Sequence, residues 1–338
     1  MRGTVLYGER DVRFEDLAEP AIIEPTDAII SLPVTCICGS DLWPYRGIQA
    51  IPRPVPMGHE YCGIVEEVGR GVTSVKPGQF VIGSFFASDN TCPHCRHGYQ
   101  TSCQQREPVV GAQAPRMRVP LADGTLVPTR EVPDADMIPS MLALSDVMGT
   151  GWFAADAAEV TPDATVVVVG DGAVGLLGVL SAKQMGAGRI IAMSRHESRQ
   201  KLARQFGATD IVTERGDEGI ERVKELTGGV GAGSVLECVG TQEAMQQAIR
   251  CTRPGGAVGY VGVPHGVTLD GADLFFRHVR LLGGPAPVRR YLPELIGLVL
   301  NGTINPGKVF DLELPLEQVA DGYLAMDQRQ AIKTLLRP

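Results

Sequence analysis

Apolar and polar residues change rhythm partway along the chain. In the first part, short apolar stretches are broken every few residues by Gly, Pro and charged positions. Thr4–Tyr7, Asp27–Leu32, Gly63–Val68 and Phe80–Ile82 predict strands, and Lys76-Pro77-Gly78 predicts a turn. This is the pattern of an irregular, mostly β region. From about Val166 the pattern changes. Strand-like runs at Thr165–Val169, Arg189–Met193, Asp210–Val212, Ser234–Cys238 and Ala257–Val261 alternate with helical segments at Val174–Met185, Arg199–Phe206, Ile220–Leu226 and Gln242–Cys251. Such alternation predicts a parallel sheet wrapped by helices, an α/β domain. The tail from about Pro287 carries helical stretches at Leu292–Leu300 and near Leu316–Met326, and is expected to return to the first domain. The expected organisation is residues 1–148, completed by 287–338, and a second domain over 149–286.

Composition narrows the class without changing this division. At 338 residues the chain exceeds what one hydrophobic core usually organises. Hydrophobic residues at 44% and charged residues at 21% are ordinary for a soluble globular protein. A net charge of -8 argues against a nucleic-acid or anionic-membrane partner. No apolar run approaches the roughly 20 residues of a membrane helix. The start runs from Met1 directly into Glu9, Arg10, Asp11 and Arg13, without a signal-like apolar segment, so a cytoplasmic location is expected. Of the eight cysteines, Cys92, Cys95 and Cys103 fall within one short loop. In a reducing compartment that clustering points to metal rather than to disulfides. Cys62, Cys238 and Cys251 lie in or beside apolar segments and read as packing residues.

The start of the α/β region carries a nucleotide signature. Val166-Val167-Val168-Val169 leads into Gly170-Asp171-Gly172-Ala173-Val174-Gly175, a match to G-x-G-x-x-G. Alone the match is weak, since glycine-rich turns are common, but a buried strand precedes it and an apolar helix follows. Gly170 permits the tight turn, Gly172 lets backbone approach a pyrophosphate, and Gly175 allows close helix packing. The helix start at Ala173 and Val174 supplies amide donors. An NAD site places an acid at the end of the second strand. Here that end reads Met193-Ser194-Arg195-His196, with no acid until Glu197. Ser194 can donate to a phosphate and Arg195 can meet its charge; Arg199 either helps or stacks on adenine. NADP is therefore the expected cofactor, with NAD as the alternative. The bland alternative for Arg195 is a solvated surface charge.

The cysteine loop reads Asp89-x-x-Cys92-x-x-Cys95-x7-Cys103, the spacing of a zinc lobe. Asp89 is the expected fourth ligand, with His94 and His97 as competitors in the same loop. Such a closed site would hold the loop together rather than perform chemistry. Elsewhere stand Cys38-Gly39-Ser40-Asp41, Gly58-His59-Glu60 and Leu144-Ser145-Asp146-Val147-Met148-Gly149-Thr150-Gly151. With the zinc lobe and the late nucleotide signature, these motifs resemble the zinc-containing medium-chain alcohol dehydrogenases. They keep the family's order over nearly the whole chain.

The resemblance implies a GroES-like, mostly β catalytic domain joined to a Rossmann domain with a doubly wound parallel sheet. It implies Cys38 and His59 as catalytic zinc ligands, with Asp146 at the place of the third, which the family fills with Cys or Asp. Glu60 corresponds to the neighbouring carboxylate that can enter the coordination sphere, and Asp41 to the acid that orients the ligand histidine. Ser40 corresponds to the hydroxyl that begins the proton path. Thr150 and Val174 match positions near the nicotinamide, and Lys333 a basic residue near the cofactor phosphates. One departure is Trp43, where many members carry a relay histidine. Indole cannot relay a proton by acid–base exchange, so Trp43 is expected to form a wall of the substrate pocket with Phe85. The resemblance further implies a homodimer or homotetramer acting on a small alcohol or carbonyl compound. Two alternatives are a zinc-free quinone or enoyl reductase on the same fold, and a non-catalytic nucleotide-binding protein. Neither has a use for Cys38, His59, Glu60 and Asp146 together.

Overall fold

A run of four valines has no polar side, so a strand made of them is stable only with both faces covered. In the computed structural model, which describes residues 1–51 and 54–338, this run lies in strand β1 (Thr165–Val169) at the centre of a six-stranded sheet. Its companions are β2 (Arg189–Met193), β3 (Asp210–Val212), β4 (Ala232–Glu237), β5 (Thr252–Tyr260) and β6 (Arg280–Gly283). The order is β3-β2-β1-β4-β5-β6, and every pairing is parallel. The order reverses between β1 and β4, where an open α/β sheet forms a ligand crevice beyond its carboxyl ends. Val167, Ile191, Val235 and Val258 from the sheet pack with Ile220, Val223, Met245 and Ile249 from the helices.

This is the Rossmann arrangement, and it occupies one of two compact units, Val147–Ala286. Helix Val147–Ala157 is buried almost throughout and lies on helix Ala173–Gln184. Gly151 permits that approach, because a Cβ there would stand 2.7 Å from the Gly178 amide nitrogen.

The other unit, Met1–Asp146 with Pro287–Pro338, is the GroES-like part. Its main sheet runs Leu126–Pro128, Phe80–Gly83, Cys62–Val68, Ala28–Cys36, Thr334–Arg337 and Leu312–Pro315, with Arg116–Val119 also paired to Ala28–Cys36. Ile30, Tyr61, Val65, Val81, Met117 and Leu126 fill its core. The tail enters this sheet through Leu335, which pairs with Cys36. Leu335 and Leu336 are buried, so the last strand is held by apolar contact as well as by its ladder. That register brings the preceding residue, Lys333, inside the unit.

Three elements differ from the sequence expectation. Helix Val147–Ala157 has no polar stripe to give a 3.6-residue period, so its pattern is silent. Residues 316–326 begin with a 3-10 turn, Leu316–Gln318, before helix Val319–Asp327. Strand β6 lies at a sheet edge with exposed residues and carries little apolar signal. Among the described residues no helix is long and apolar enough to cross a membrane.

Candidate functional site

Cys38 follows strand Ala28–Cys36 and begins the one-turn 3-10 helix Gly39–Asp41. The turn folds back on itself, since the Cys38 backbone N–H donates to Asp41 Oδ2 at 3.0 Å. His59 is delivered by Gly58, whose φ of +95° suits glycine and whose Cβ would meet the Gln113 nitrogen at 2.5 Å. The His59 ring is held at both nitrogens: Nδ1 faces Asp41 Oδ1 at 3.4 Å and Nε2 faces Asp146 Oδ2 at 3.2 Å. Cys38 Sγ lies 3.5 Å from the same Asp146 oxygen. Asp146 is placed by its neighbour Ser145, whose hydroxyl donates to Leu142 O at 2.7 Å and accepts from the Tyr61 N–H at 3.2 Å. One ligand atom each from Cys38, His59, Glu60 and Asp146 lie within 4.8 Å of one another.

This donor set fits zinc. Zinc–sulfur and zinc–nitrogen bonds of usual length separate tetrahedral ligands by roughly 3.3–3.8 Å, close to the separations found. Burial and the neighbouring Asp146 charge push the Cys38 thiol up to about 11. Burial alone would lower His59, but Asp41, Cys38 and Asp146 together hold it well above its usual value. Without metal the cluster therefore retains protons that a cation would displace. Glu60 is fully buried; burial pushes its carboxyl up while Lys333 draws it down. Glu60 Oε1 accepts from Lys333 Nζ at 2.5 Å, and Oε2 has no hydrogen-bond partner among the described residues.

Lys333, expected near the cofactor phosphates, lies against the first cluster through Glu60. It is 1% exposed, and its ammonium donates to Glu60 and to Ile37 O at 3.1 Å. The register of the last strand puts it there. Ser40 and Trp43 are half-buried on the segment after Cys38. Phe85 stands edge-on to the His59 ring at 6.2 Å between centroids, with Phe86 beside it at 5.5 Å.

The second cluster is local. Cys92 Sγ lies 3.5 Å from Cys95 Sγ and 3.9 Å from Cys103 Sγ, and Asp89 Oδ1 lies 3.5 Å from Cys95 Sγ. Cys103 Sγ accepts N–H groups from Asp89 and Gln105 at 3.4 and 3.3 Å, as a thiolate ligand would. Four donor atoms again lie within 4.8 Å, and the set fits zinc with Asp89 as fourth ligand. His94 and His97 are exposed and outside the group.

The nucleotide signature sits between β1 and helix Ala173–Gln184, and its glycines divide their roles. Gly170 has φ +117°, and a Cβ there would press on Val239 Cγ2 at 2.9 Å. A Cβ on Gly175 would lie 2.1 Å from Gly170 O, so helix and turn touch there. At Gly172 a Cβ would meet nothing within 4 Å, leaving room for a diphosphate against backbone. The helix begins at Ala173 and Val174 with no side-chain cap, so its first amides face that room. Ser194 follows β2 in a buried position, Arg195 is exposed and Arg199 is half-buried. Thr150 is buried in helix Val147–Ala157.

Sequence reasoning missed Gln113, whose amide nitrogen donates to Cys36 O at 3.1 Å and Asp41 Oδ2 at 3.2 Å, and whose Oε1 accepts from Tyr323 Oη at 3.3 Å. No local pattern signals it, since Asp41 is far away in sequence. It also passed over Asp171, although that residue lies inside the fingerprint.

Comparison with known proteins agrees with this construction. Residues 24–139 match the alcohol dehydrogenase GroES-like domain, and residues 173–301 match the zinc-binding dehydrogenase family. The whole chain aligns at 34% identity with a probable zinc-binding alcohol dehydrogenase of Mycobacterium tuberculosis, covering 89% of it. It aligns over its whole length at 32% identity with zinc-type alcohol dehydrogenase B of Aspergillus flavus, covering 81% of that protein. The solved structure of alcohol dehydrogenase TADH from Thermus sp. ATN1 superposes with a TM-score of 0.91 at 30% identity, over 100% of this chain and 99% of that one. The fold and site define a zinc-binding oxidoreductase with a nicotinamide cofactor. The chain belongs to the family of zinc-containing medium-chain alcohol dehydrogenases.

Proposed function

We propose that the protein transfers a hydride between a primary or secondary alcohol, or the matching aldehyde or ketone, and NADP. The observation that carries this reading is the convergence of Cys38, His59, Glu60 and Asp146 on one buried point from separate stretches of chain. Three of them suffice to hold a metal with a position left open, and Glu60 stands in reserve on Lys333. A zinc ion held by Cys38, His59 and Asp146 supplies Lewis acidity toward an alcohol or carbonyl oxygen.

The remaining roles belong to the chain. Asp41 fixes His59 at Nδ1, so that Nε2 keeps its lone pair for the donor set. Ser40 Oγ accepts the alcohol proton and passes its own toward water. The Trp43 indole has only an N–H donor and takes no part in that relay; with Phe85 it walls the substrate and keeps water away. Asp89, Cys92, Cys95 and Cys103 hold a second, structural zinc. Gly170, Gly172 and Gly175 with the amides at Ala173 and Val174 bind the diphosphate. Thr150 and Val174 pack beside the nicotinamide. Ser194, Arg195 and Arg199 face the adenosine 2′-phosphate, where an acid would be needed for NAD.

Cys38→Ser or Asp146→Ala is expected to abolish turnover while dinucleotide affinity stays nearly unchanged. Full turnover in either variant would sink the ligand assignment. For the cofactor, dissociation constants for NADP and NAD are compared in wild type and Ser194→Asp; a wild type that prefers NAD overturns the NADP reading. We further infer a homodimer or homotetramer. Leu282, 45% exposed on edge strand β6, supports this reading, and a monomer by sedimentation velocity would contradict it.

A further inference from the structure

The middle position of Gly170-Asp171-Gly172 accepts almost any residue in the fingerprint, yet this chain has an acid there. Its carboxylate turns toward the end of β2. Ser194 Oγ donates to Asp171 Oδ2 at 2.8 Å. Arg199 Nη1 donates to Asp171 Oδ1 at 3.2 Å and to the Asp171 carbonyl oxygen at 3.3 Å. Arg215, just before helix Gly216–Leu226, adds a second positive charge to the same group. Ser194 is itself fixed, since its N–H donates to Val212 O at 2.9 Å and its carbonyl accepts from Gln200 Nε2 at 2.9 Å. The side chains of Asp171 and Arg199 are only 15% and 12% exposed, so this pair is not a screened surface contact. Burial alone would push the carboxyl up, but the Ser194 hydrogen bond and the two guanidinium charges hold it below the usual aspartate value. It is ionised at neutral pH.

A hydroxyl donor and two guanidinium groups are what a phosphate monoester seeks. Here the hydroxyl and one guanidinium already bind an anion supplied by the chain itself, with the Arg215 charge acting on it from further away. A 2′-phosphate arriving at Ser194 and Arg199 must share these donors with Asp171 and bear its negative charge nearby. The uncharged 2′-hydroxyl of NAD meets no such repulsion, and a carboxylate can accept its proton.

We propose that Asp171 is a specificity-determining residue that restrains NADP relative to NAD by occupying the donors of Ser194 and Arg199. The proposal rests on the dinucleotide site described above, but not on which cofactor the wild type prefers. Whatever the starting ratio, removing this charge moves it toward NADP.

The test is calorimetric titration of NADP and NAD into wild type, Asp171→Asn and Asp171→Ala, with no turnover involved. Asparagine keeps an acceptor for Ser194 and nearly the same volume, so the turn is retained; alanine checks that the new amide is not responsible. Expected is a change of about tenfold in the ratio of the two dissociation constants toward NADP in both variants, corresponding to about 1.4 kcal/mol. The NAD constant itself should change by less than about threefold. Raising salt should weaken NADP more in the variants than in wild type, because the phosphate then meets the Arg199 charge without a competing carboxylate. An unchanged ratio, or a shift toward NAD, overturns the proposal. A wild type that prefers NAD overturns the NADP reading alone, and the ratio in Asp171→Asn then still decides this one. A wild type that binds neither dinucleotide overturns both.

Discussion

The two donor clusters in the GroES-like unit use similar atoms but are assembled in opposite ways. The lobe of Asp89, Cys92, Cys95 and Cys103 is built within one loop, and most of its order is local. Asp89 Oδ1 accepts N–H groups from Thr91 and Cys92 at 2.8 and 3.0 Å, so the turn that presents the first thiol is closed by the fourth donor. The cluster of Cys38, His59, Glu60 and Asp146 has no such economy. Its parts are joined by Asp41, Ser145, Gln113 and Lys333, each touching a residue distant along the chain. A local set with four committed donors is suited to hold structure. A distributed set lets each donor be oriented separately and leaves Glu60 tied to its own partner, which suits a site where a ligand position must stay open.

The largest expected effect separates the two by removing one thiol from each. In Cys38→Ser, turnover should fall by about a thousandfold or more, since Lewis-acid stabilisation contributes several kcal/mol. Elemental analysis should then show one zinc per chain against two in wild type. In Cys95→Ser the other ion should be lost, with a lower Tm and an intact Cys38 cluster. Loss of turnover in both with no change in Tm for either would erase the distinction. Next in size is Lys333→Met. It leaves Glu60 buried without its cation, at a cost of about 3–5 kcal/mol in chemical denaturation. The double variant with Glu60→Gln should recover much of that. A Lys333→Met protein as stable as wild type would mean that the pair holds nothing.

A smaller effect is expected at Gln113. It touches no donor, but its amide holds Asp41, which in turn faces His59 Nδ1. Gln113→Leu should raise the rate of zinc loss from the Cys38 cluster by about 10–100-fold, with the lobe unaffected. Chelator-driven release gives two phases, and only one should change. If both phases accelerate together, Gln113 supports the fold rather than the histidine.

The same contrast explains what could be read from the sequence. β1, β2 and β3 were legible to the residue because their apolar runs end at glycine or polar turns, and helix Gln242–Cys251 because one face is mostly apolar. Helix Val147–Ala157 was not, since a helix buried on all sides has no period. The grouping of the lobe was legible from spacing, and its structure leaves His94 and His97 exposed and outside the group. Cys38, His59 and Asp146 could be joined only by family resemblance, as nothing local says that they meet. The Glu60 partner of Lys333 could not be read for a related reason: it depends on how the last strand pairs with Ala28–Cys36, a long-range register. Asp171 lay in plain view, but a fingerprint that names only its glycines directs no attention to the residue between them.

The smallest expected effect concerns Asp89, which has two duties in the lobe: closing the turn and facing Cys95 Sγ at 3.5 Å. The two can be separated. Asp89→Asn keeps an oxygen that accepts the Thr91 and Cys92 N–H groups, so the turn survives, but a neutral amide oxygen is a weaker zinc donor than a carboxylate. Asp89→Ala loses both. Zinc affinity of the lobe is therefore expected to fall in both variants. Stability measured after zinc removal should stay within about 0.5 kcal/mol of wild type for Asp89→Asn, and fall by about 1 kcal/mol for Asp89→Ala through the lost acceptor. If Asp89→Asn binds zinc as tightly as wild type, Asp89 serves only the turn, and the lobe's fourth donor is another group. The contrast between a closed local set and an open distributed one would then need redrawing, because both clusters would hold their metal with three protein donors.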